Sequence, residues 1–534
     1  MDVSFGTIWE AVAERLPHAV AVSEPGVERD YAEFERRSAK LACALERAGI
    51  RAGDRVGCYL YNGSAYLETV FAAFKIGAVP VNVNYRYTRA ELTGLLADAE
   101  ASALVFSSAL GDQVTHAAAH LPALRLLVRV GPGAGGPDAP ELEELLARTP
   151  ARPAGPRPGT DRLFMYTGGT TGKPKGVIWR LSDLLNSLLV PVFRPLGVPE
   201  PPKTLEEAVG IAARVQDRAP RIMPVVPLMH GTGLFNSMGA LLVGGRVVTA
   251  RVGGLDAGHV WRRVAEQRVS TVVVAGTATT RPLVDELRAA ECAGTPHDLR
   301  TLRSMISSGT AFDDELKRAL HERAEVNIFD AIASSEGGPF AFAVTAAAED
   351  LPSRFFPVPG TEVRTADGTA VAEVGETGVL AYSGPMPLGY HDDPAKTAET
   401  FREVRGRRYA IPGDLARLEP DGSISFLGRS STVINTGGEK VHPPEVEEAL
   451  LGHPDVTDCA VVGLPDERWG EVVAALVATT AEITETDLQD WARRALAGYK
   501  IPRRISLRGQ LPRSPTGKIE LARVRELLDR PPRE

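Results

Sequence analysis

The sequence predicts an α/β protein: a large N-terminal domain of parallel α/β subdomains plus a small β-rich subdomain, followed by a small α+β C-terminal domain. Three observations carry this. Helical and strand patterns alternate through residues 1–100, the order expected of a parallel sheet covered by helices. Short β-like runs separated by Asp-Gly, Gly-Glu and Pro-Gly turns fill residues 356–428. The length of 534 residues also exceeds the roughly 250–300 at which single cores stop growing.

Residues 31–48 have helical spacing with charged residues on the outer face, 54–60 read as a strand, 66–76 as a helix and 78–83 as a strand again. Gly and Pro loosen residues 130–160 into a surface connection with one short acidic helix at 141–147. A second irregular stretch, 191–224, holds Pro-Glu-Pro-Pro and a helix near 205–215. Strands are expected at 246–252, 271–275 and 301–306. After Arg429, helix 444–451, strands 456–463 and 472–479 and helix 485–496 make a compact terminal unit. The main boundary therefore falls at 429/430, giving domains 1–429 and 430–534.

Composition is that of an ordinary globular chain, 44% hydrophobic and 24% charged. A net charge of −8 argues against general nucleic-acid binding. Cys43, Cys58, Cys292 and Cys459 are scattered without C-x-x-C spacing, which fits a reducing compartment and neither a disulfide framework nor a zinc site. No basic-then-apolar leader and no apolar run of membrane-span length is seen, so the expected location is the cytoplasm.

Residues 166–176 read Tyr-Thr-Gly-Gly-Thr-Thr-Gly-Lys-Pro-Lys-Gly. Glycines let backbone N–H groups approach an anion. Threonine hydroxyls add donors, and Lys173 and Lys175 supply positive charge. These are the ingredients of a loop that holds a polyphosphate. It is not the G-x-x-x-x-G-K-[ST] loop, because Gly168 to Gly172 is one residue short and Pro174 follows Lys173.

Five further stretches carry chemistry, each compatible alone with a plain turn or surface residue. Pro-Leu-Met-His-Gly-Thr-Gly (227–233) sets His230 between a proline turn and two glycines. Ser-Ser-Gly-Thr-Ala (307–311) ends a strand, where ligands approach open α/β sheets. Phe-Asp-Ala-Ile-Ala-Ser-Ser-Glu-Gly-Gly (329–338) puts Glu336 at another strand end, a carboxylate suited to Mg²⁺ on phosphate oxygens. Asp414 follows Gly413 and is an acceptor for ribose hydroxyls, with Arg429 after Gly428. Lys518 closes the glycine-bearing run Pro-Arg-Ser-Pro-Thr-Gly-Lys (512–518).

In this order the runs resemble the adenylate-forming superfamily, which includes acyl-CoA synthetases, peptide-synthetase adenylation domains and luciferases, and the resemblance covers nearly the whole chain. It implies that a small-molecule carboxylic acid attacks ATP to give an acyl-adenylate and pyrophosphate. The small C-terminal domain would then move, withdrawing Lys518 and admitting a thiol, which is CoA in the acyl-CoA branch. Thr167, Gly168, Gly169, Thr170, Thr171, Gly172 and Lys175 would wrap the triphosphate. Gly309, Thr310, Asp330, Ala331, Ile332, Ala333 and Ser335 would complete the nucleotide site, and Glu336 would hold Mg²⁺. Asp414, helped by Arg429, would hold the ribose, and Lys518 would bridge carboxylate and α-phosphate. His230 would border the acyl channel, with Asn236, Gly276, Thr277 and Ala311 in the acid pocket. Gly437, Gly438 and Lys440 resemble the segment that serves the thiol half-reaction, and Ser431 stands at the hinge.

The chain departs from the family pattern at Ile332, where a tyrosine is usual, at Ala333 for glycine, Ser335 for threonine and Ser431 for Asp or Lys. The Ser-Glu and Gly-Gly-Glu-Lys forms are similar to those of synthetases near the fatty-acid and sterol-chain ligases. Two alternatives to a CoA ligase stay open. The polar run 276–279, with Asn236 and Thr310, suits a small acid, even an oxyacid such as nitrite, and a carrier-protein thiol or amine as acceptor. Ile332 and Ser431 allow a catalytically silent nucleotide-binding protein, against which stand Glu336, Asp414, Arg429 and Lys518.

Overall fold

The computed structural model describes the chain except residues 134, 169–173, 251–253, 310–311, 430–432, 442, 480, 513–518 and 530–534. The alternation at the start of the chain becomes helix Tyr31–Arg47, strand Arg55–Tyr59, helix Ser64–Ile76 and strand Val79–Asn82. Strand Arg55–Tyr59 lies between Val79–Asn82 and Ala101–Ser107, parallel to both, and Leu126–Val130 and Arg162–Gly168 extend the parallel set on either side. Pro174–Arg180 then pairs antiparallel with Arg162–Gly168, and the short strand Gly389–Tyr390, from far along the chain, closes that edge.

A second large sheet runs parallel through Val20–Glu24, Arg246–Val248, Arg221–Pro224, Thr271–Val274, Ser304–Ser308 and Asn327–Ser334, with antiparallel strands at both edges. One apolar core joins the two sheets. It holds Val56, Ala103 and Met165 from the first, Val22, Ile222 and Val273 from the second, and Trp9 and Phe71 with ring centroids 4.3 Å apart. Helix Ser64–Ile76 is buried along almost its whole length, as its near-continuous apolar sequence requires. The shared core fixes the strand ends of both sheets relative to one another.

The Asp-Gly and Gly-Glu turns of residues 356–428 connect an antiparallel sheet of Thr361–Arg364, Thr377–Tyr382, Phe401–Val404, Arg407–Ala410, Asp414–Leu418 and Ile424–Arg429. The last sheet contains Ile434–Thr436, Glu439–Val441, Val456–Asp466, Gly470–Thr479 and Arg504–Arg508. Strand alternation gives it two apolar faces. Cys459 and Val461 pack with Val446, Leu450 and Leu488, whereas Ala460, Val462 and Leu464 pack with Val524 and Leu528.

Four elements differ from expectation, among them the strand expected at 246–252, which is Arg246–Val248. Helix Leu181–Phe193 continues through Pro191, because burial of Leu189 and Phe193 outweighs the local preference to stop. The strand expected at 301–306 is Ser304–Ser308, in register with Thr271–Val274 and Asn327–Ser334. The last predicted helix is shorter, Glu485–Ala492. Among the described residues no helix is long and apolar enough to cross a membrane.

Candidate active site

A cavity of about 450 Å³ lies where the carboxyl ends of parallel strands from both large sheets converge. Asn82 and Thr167 reach it from one sheet, and Pro224, Ala275, Ser308 and Ala331 from the other. Two asparagines tie its walls together. Asn82 Nδ2 donates to Tyr166 O (3.0 Å) and Met229 O (2.7 Å), while its Oδ1 accepts the Tyr166 N–H. Asn62 Nδ2 donates to Pro224 O and Val226 O at 3.1 and 3.0 Å, and its Oδ1 accepts the Leu228 N–H. These side chains hold the backbone of the His230 loop.

His230 itself lines the cavity and precedes helix Gly231–Leu242. The turn before it needs glycine at 233, where a Cβ would stand 2.5 Å from Pro227 O. Asn236 also lines the cavity, with its Nδ2 donating to Thr232 O at 2.8 Å. Leu184, Leu188, Phe235, Val260 and Phe342 give the cavity an apolar wall.

The glycine-rich run forms a β-hairpin in which Thr167 pairs with Lys175 and Gly168 with Pro174. Its tip, with Gly169, Thr170, Thr171 and Gly172, lies outside the described residues, as do Thr310, Ala311, Ser431 and Lys518; Arg429 is described only in its backbone. Thr167 faces the cavity. Lys175 Nζ lies 2.7 Å from Asp393 Oδ2 and 5.8 Å above the Tyr390 ring. The Tyr390 hydroxyl in turn donates to Glu336 Oε1 at 2.9 Å.

Strand Asn327–Ser334 sorts its residues by alternation. Ala331 and Ala333 face the cavity. Asp330 and Ile332, expected at the nucleotide site, fall on the other side of the pleat: Asp330 is buried against Lys317 Nζ at 2.9 Å, and Ile332 packs on the cluster of Phe340 and Tyr382. A register shift between Ile332 and Ser334 breaks the alternation, so Ser334 and Ser335 both line the cavity, with Glu336 adjoining. Gly309 lines it too. Gly276 and Thr277, expected in the acid pocket, turn into the fold instead: Gly276 N–H donates to Ser307 Oγ and Thr277 Oγ1 accepts the Asp313 N–H. Their neighbours Ala275 and Thr279 line the cavity in their place. Asp414 is buried and stands directly across from Arg429 on neighbouring strands.

The C-terminal sheet contributes one wall. Gly437 and Gly438 form a tight hairpin turn with φ of +58° and +84°, between Ile434–Thr436 and Glu439–Val441. A Cβ on Gly437 would stand 2.6 Å from Trp469 Cε3. Gly437, Gly438, Glu439 and Lys440 all line the cavity. Glu439 is 6% exposed, and its carboxylate accepts from the Arg86 guanidinium and from His230 Nε2 at 3.3 Å. Burial pushes the Glu439 pKa up, but His230 and Arg86 outweigh it and hold the carboxyl below its ordinary range. Behind it, the buried Lys500 ammonium bridges Glu91 of the N-terminal part and Glu445. Burial opposes the charge on Lys500, yet Glu91 and Glu445 raise its pKa above the usual lysine value.

Glu439 stands inside the Gly-Gly-Glu-Lys run with nothing in the sequence to name its partners, and Asn62, Asn82, Arg86, Tyr390, Asp393 and Lys500 lie outside every motif singled out above. A lone asparagine in the apolar run 79–83 was the only local signal among these.

The sequence model for AMP-binding enzymes matches residues 9–391, and that for the AMP-binding enzyme C-terminal domain matches residues 445–518. The chain belongs to the family of AMP-binding enzymes. Across its whole length this AMP-binding enzyme is 35% identical to a medium/long-chain-fatty-acid–CoA/3-oxocholest-4-en-26-oate–CoA ligase of Mycolicibacterium smegmatis, covering 98% of that protein. It is 36% identical to a 3-oxocholest-4-en-26-oate–CoA ligase of Rhodococcus rhodochrous, over 97% of this chain and 94% of the other. In fold it matches an amide bond synthetase from Marinactinospora thermotolerans, with a TM-score of 0.81 at 23% identity over 98% and 99% of the two chains.

Proposed function

We propose that this enzyme is an AMP-forming ligase that joins a medium- to long-chain carboxylic acid to CoA. The observation that carries the reading is Glu439. Held by Arg86 and His230, it seats the Gly437–Gly438 turn on the same cavity that Thr167 and Ser335 line. A glycine turn with no side chain leaves room for a slender thiol arm beside the adenylate. The names of the relatives support CoA as acceptor, and the apolar wall of Leu184, Leu188, Phe235, Val260 and Phe342 supports an acid with a hydrocarbon body.

In the first half-reaction a carboxylate oxygen attacks the α-phosphorus of ATP, the bond to the bridging oxygen breaks, and pyrophosphate leaves with that electron pair. Two anions must meet, so cations belong where charge develops. Lys175 and Thr167 would hold phosphate oxygens, Asp414 the ribose hydroxyls and Lys518 the attacking carboxylate. Glu336 beside Ser335 is a donor set that fits Mg²⁺, which favours one or two carboxylates plus phosphate oxygens. Bound there, the ion would neutralise phosphate charge. In the second half-reaction the CoA sulfur attacks the acyl carbon, AMP departs with the C–O electron pair, and the thiol proton passes to solvent.

The C-terminal domain is proposed to begin at residue 430, between the strands Ile424–Arg429 and Ile434–Thr436. Free thiols at Cys43, Cys58, Cys292 and Cys459 suit the reducing cytoplasm. The test is incubation with ATP, Mg²⁺, CoA and acids from acetate through long chains to 3-oxocholest-4-en-26-oate. Pyrophosphate release with CoA thioesters of the longer acids is expected. Adenylate formed from these acids but not passed on to CoA would refute it.

A further inference from the structure

We propose that Asp393 competes with pyrophosphate for Lys175 and thereby promotes release of that product between the two half-reactions. This rests on the ligase reading above. Asp393 cannot simply swing aside. Its Oδ1 accepts the Lys396 N–H at 2.9 Å, its carbonyl accepts the Thr397 hydroxyl at 2.8 Å, and the Thr397 Oγ1 accepts the Tyr390 N–H at 2.9 Å. The turn is also sewn to the strand that carries Lys175. Gly389 and Tyr390 pair with Ile178 and Val177, and the His391 N–H donates to Gly176 O at 2.7 Å. The carboxylate is thus a fixed anion, and Lys175 is the flexible member, a point charge on a long stem. Its ammonium contacts Asp393 Oδ2 at 2.7 Å while the Gly437–Lys440 segment lies on the cavity.

Any phosphate that draws on Lys175 must share it with Asp393 or displace it, and its affinity is lowered by that exchange. ATP has base and ribose contacts to offset the loss. Pyrophosphate has phosphate contacts alone, so the same penalty tips it toward departure. The Lys175 hydrogen bond also holds the Asp393 carboxyl below its ordinary range, keeping it anionic at neutral pH.

The test is Asp393→Asn, which keeps the helix cap to Lys396 and removes the charge. Titration calorimetry of the purified full chain with inorganic pyrophosphate and Mg²⁺ should show binding about fivefold tighter in the variant. Added pyrophosphate should correspondingly inhibit thioester formation more strongly. In a Lys175→Ala background the same substitution should leave the affinity unchanged. Unchanged or weaker binding by Asp393→Asn, no binding by either protein, or an equal gain without Lys175 would overturn the proposal. Binding is read without turnover, so failure to make CoA thioesters would refute the ligase reading while leaving this measurement to stand.

Discussion

Replacing Glu439 with alanine should separate the two half-reactions. The carboxylate is 6% exposed and links the C-terminal hairpin to Arg86 and His230. Removing one partner of a fully buried ion pair costs about 3–5 kcal/mol. Arg86 is 41% exposed and His230 36% in their side chains, so both regain water when released, and the cost falls to about 1–2 kcal/mol. That loss acts on the docked arrangement of residues 437–440 and on little else, which corresponds to a drop of about 5–30-fold in its population. Rapid-quench measurement should therefore show acyl-adenylate forming at nearly the normal rate and thioester formation slowed by that factor. The pH dependence has a definite sign. The folded-state pKa of Glu439 lies below the ordinary 4.5, so its contribution is complete above that value and is lost only as pH falls through the lowered pKa. An equal slowing of both half-reactions would refute the reasoning, as would slowing of adenylation alone.

Lys500→Ala should leave Glu91 and Glu445 facing each other without their shared cation, destabilising the chain by about 3–5 kcal/mol in urea unfolding near pH 8. Burial already holds the Glu445 carboxyl above its ordinary range, so without the Lys500 cation its protonation relieves the buried charge, and the penalty should shrink as pH falls toward 5. Tyr390→Phe removes the hydroxyl on Glu336 Oε1, a hydrogen bond to a charged group worth about 1.5–3 kcal/mol, and should raise the Mg²⁺ concentration needed for half-maximal pyrophosphate release. Gly437→Ala meets Trp469 at 2.6 Å in a left-handed backbone conformation, and its effect should fall on CoA thioester formation measured with preformed acyl-adenylate. Asn82→Ala frees Tyr166 and Met229 from their common clamp and should lower the melting temperature along with adenylation.

What could be read from the sequence was local. Helix Tyr31–Arg47 and strand Arg55–Tyr59 follow from periodicity over a few residues, and the β-rich texture of 356–428 follows from its turns. The hairpin of Thr167 and Lys175 and the His230 turn are similarly carried by short runs whose glycines are needed on the spot. Ile332 and Asp330 show where that reasoning stops. Their motif was visible, but which side of the pleat meets the cavity depends on neighbouring strands and on a register shift that no short window encodes.

The charges that organise the site are less legible still, for a physical reason. Arg86 and Glu439 are separated by 353 residues, Glu91 and Lys500 by 409, and Lys175 and Asp393 by 218. Each is an ordinary polar residue in its own neighbourhood, where solvation is the default state. In the folded chain Glu439 and Lys500 are buried and each pairs with a residue of the N-terminal part, and burial is what makes the pairing obligatory. The motifs identify groups that meet the nucleotide. The long-range pairs determine which arrangement those groups adopt. A chain with intact nucleotide-binding motifs and an altered Arg86, Glu439 or Lys500 should therefore still make adenylate while losing the balance between its half-reactions.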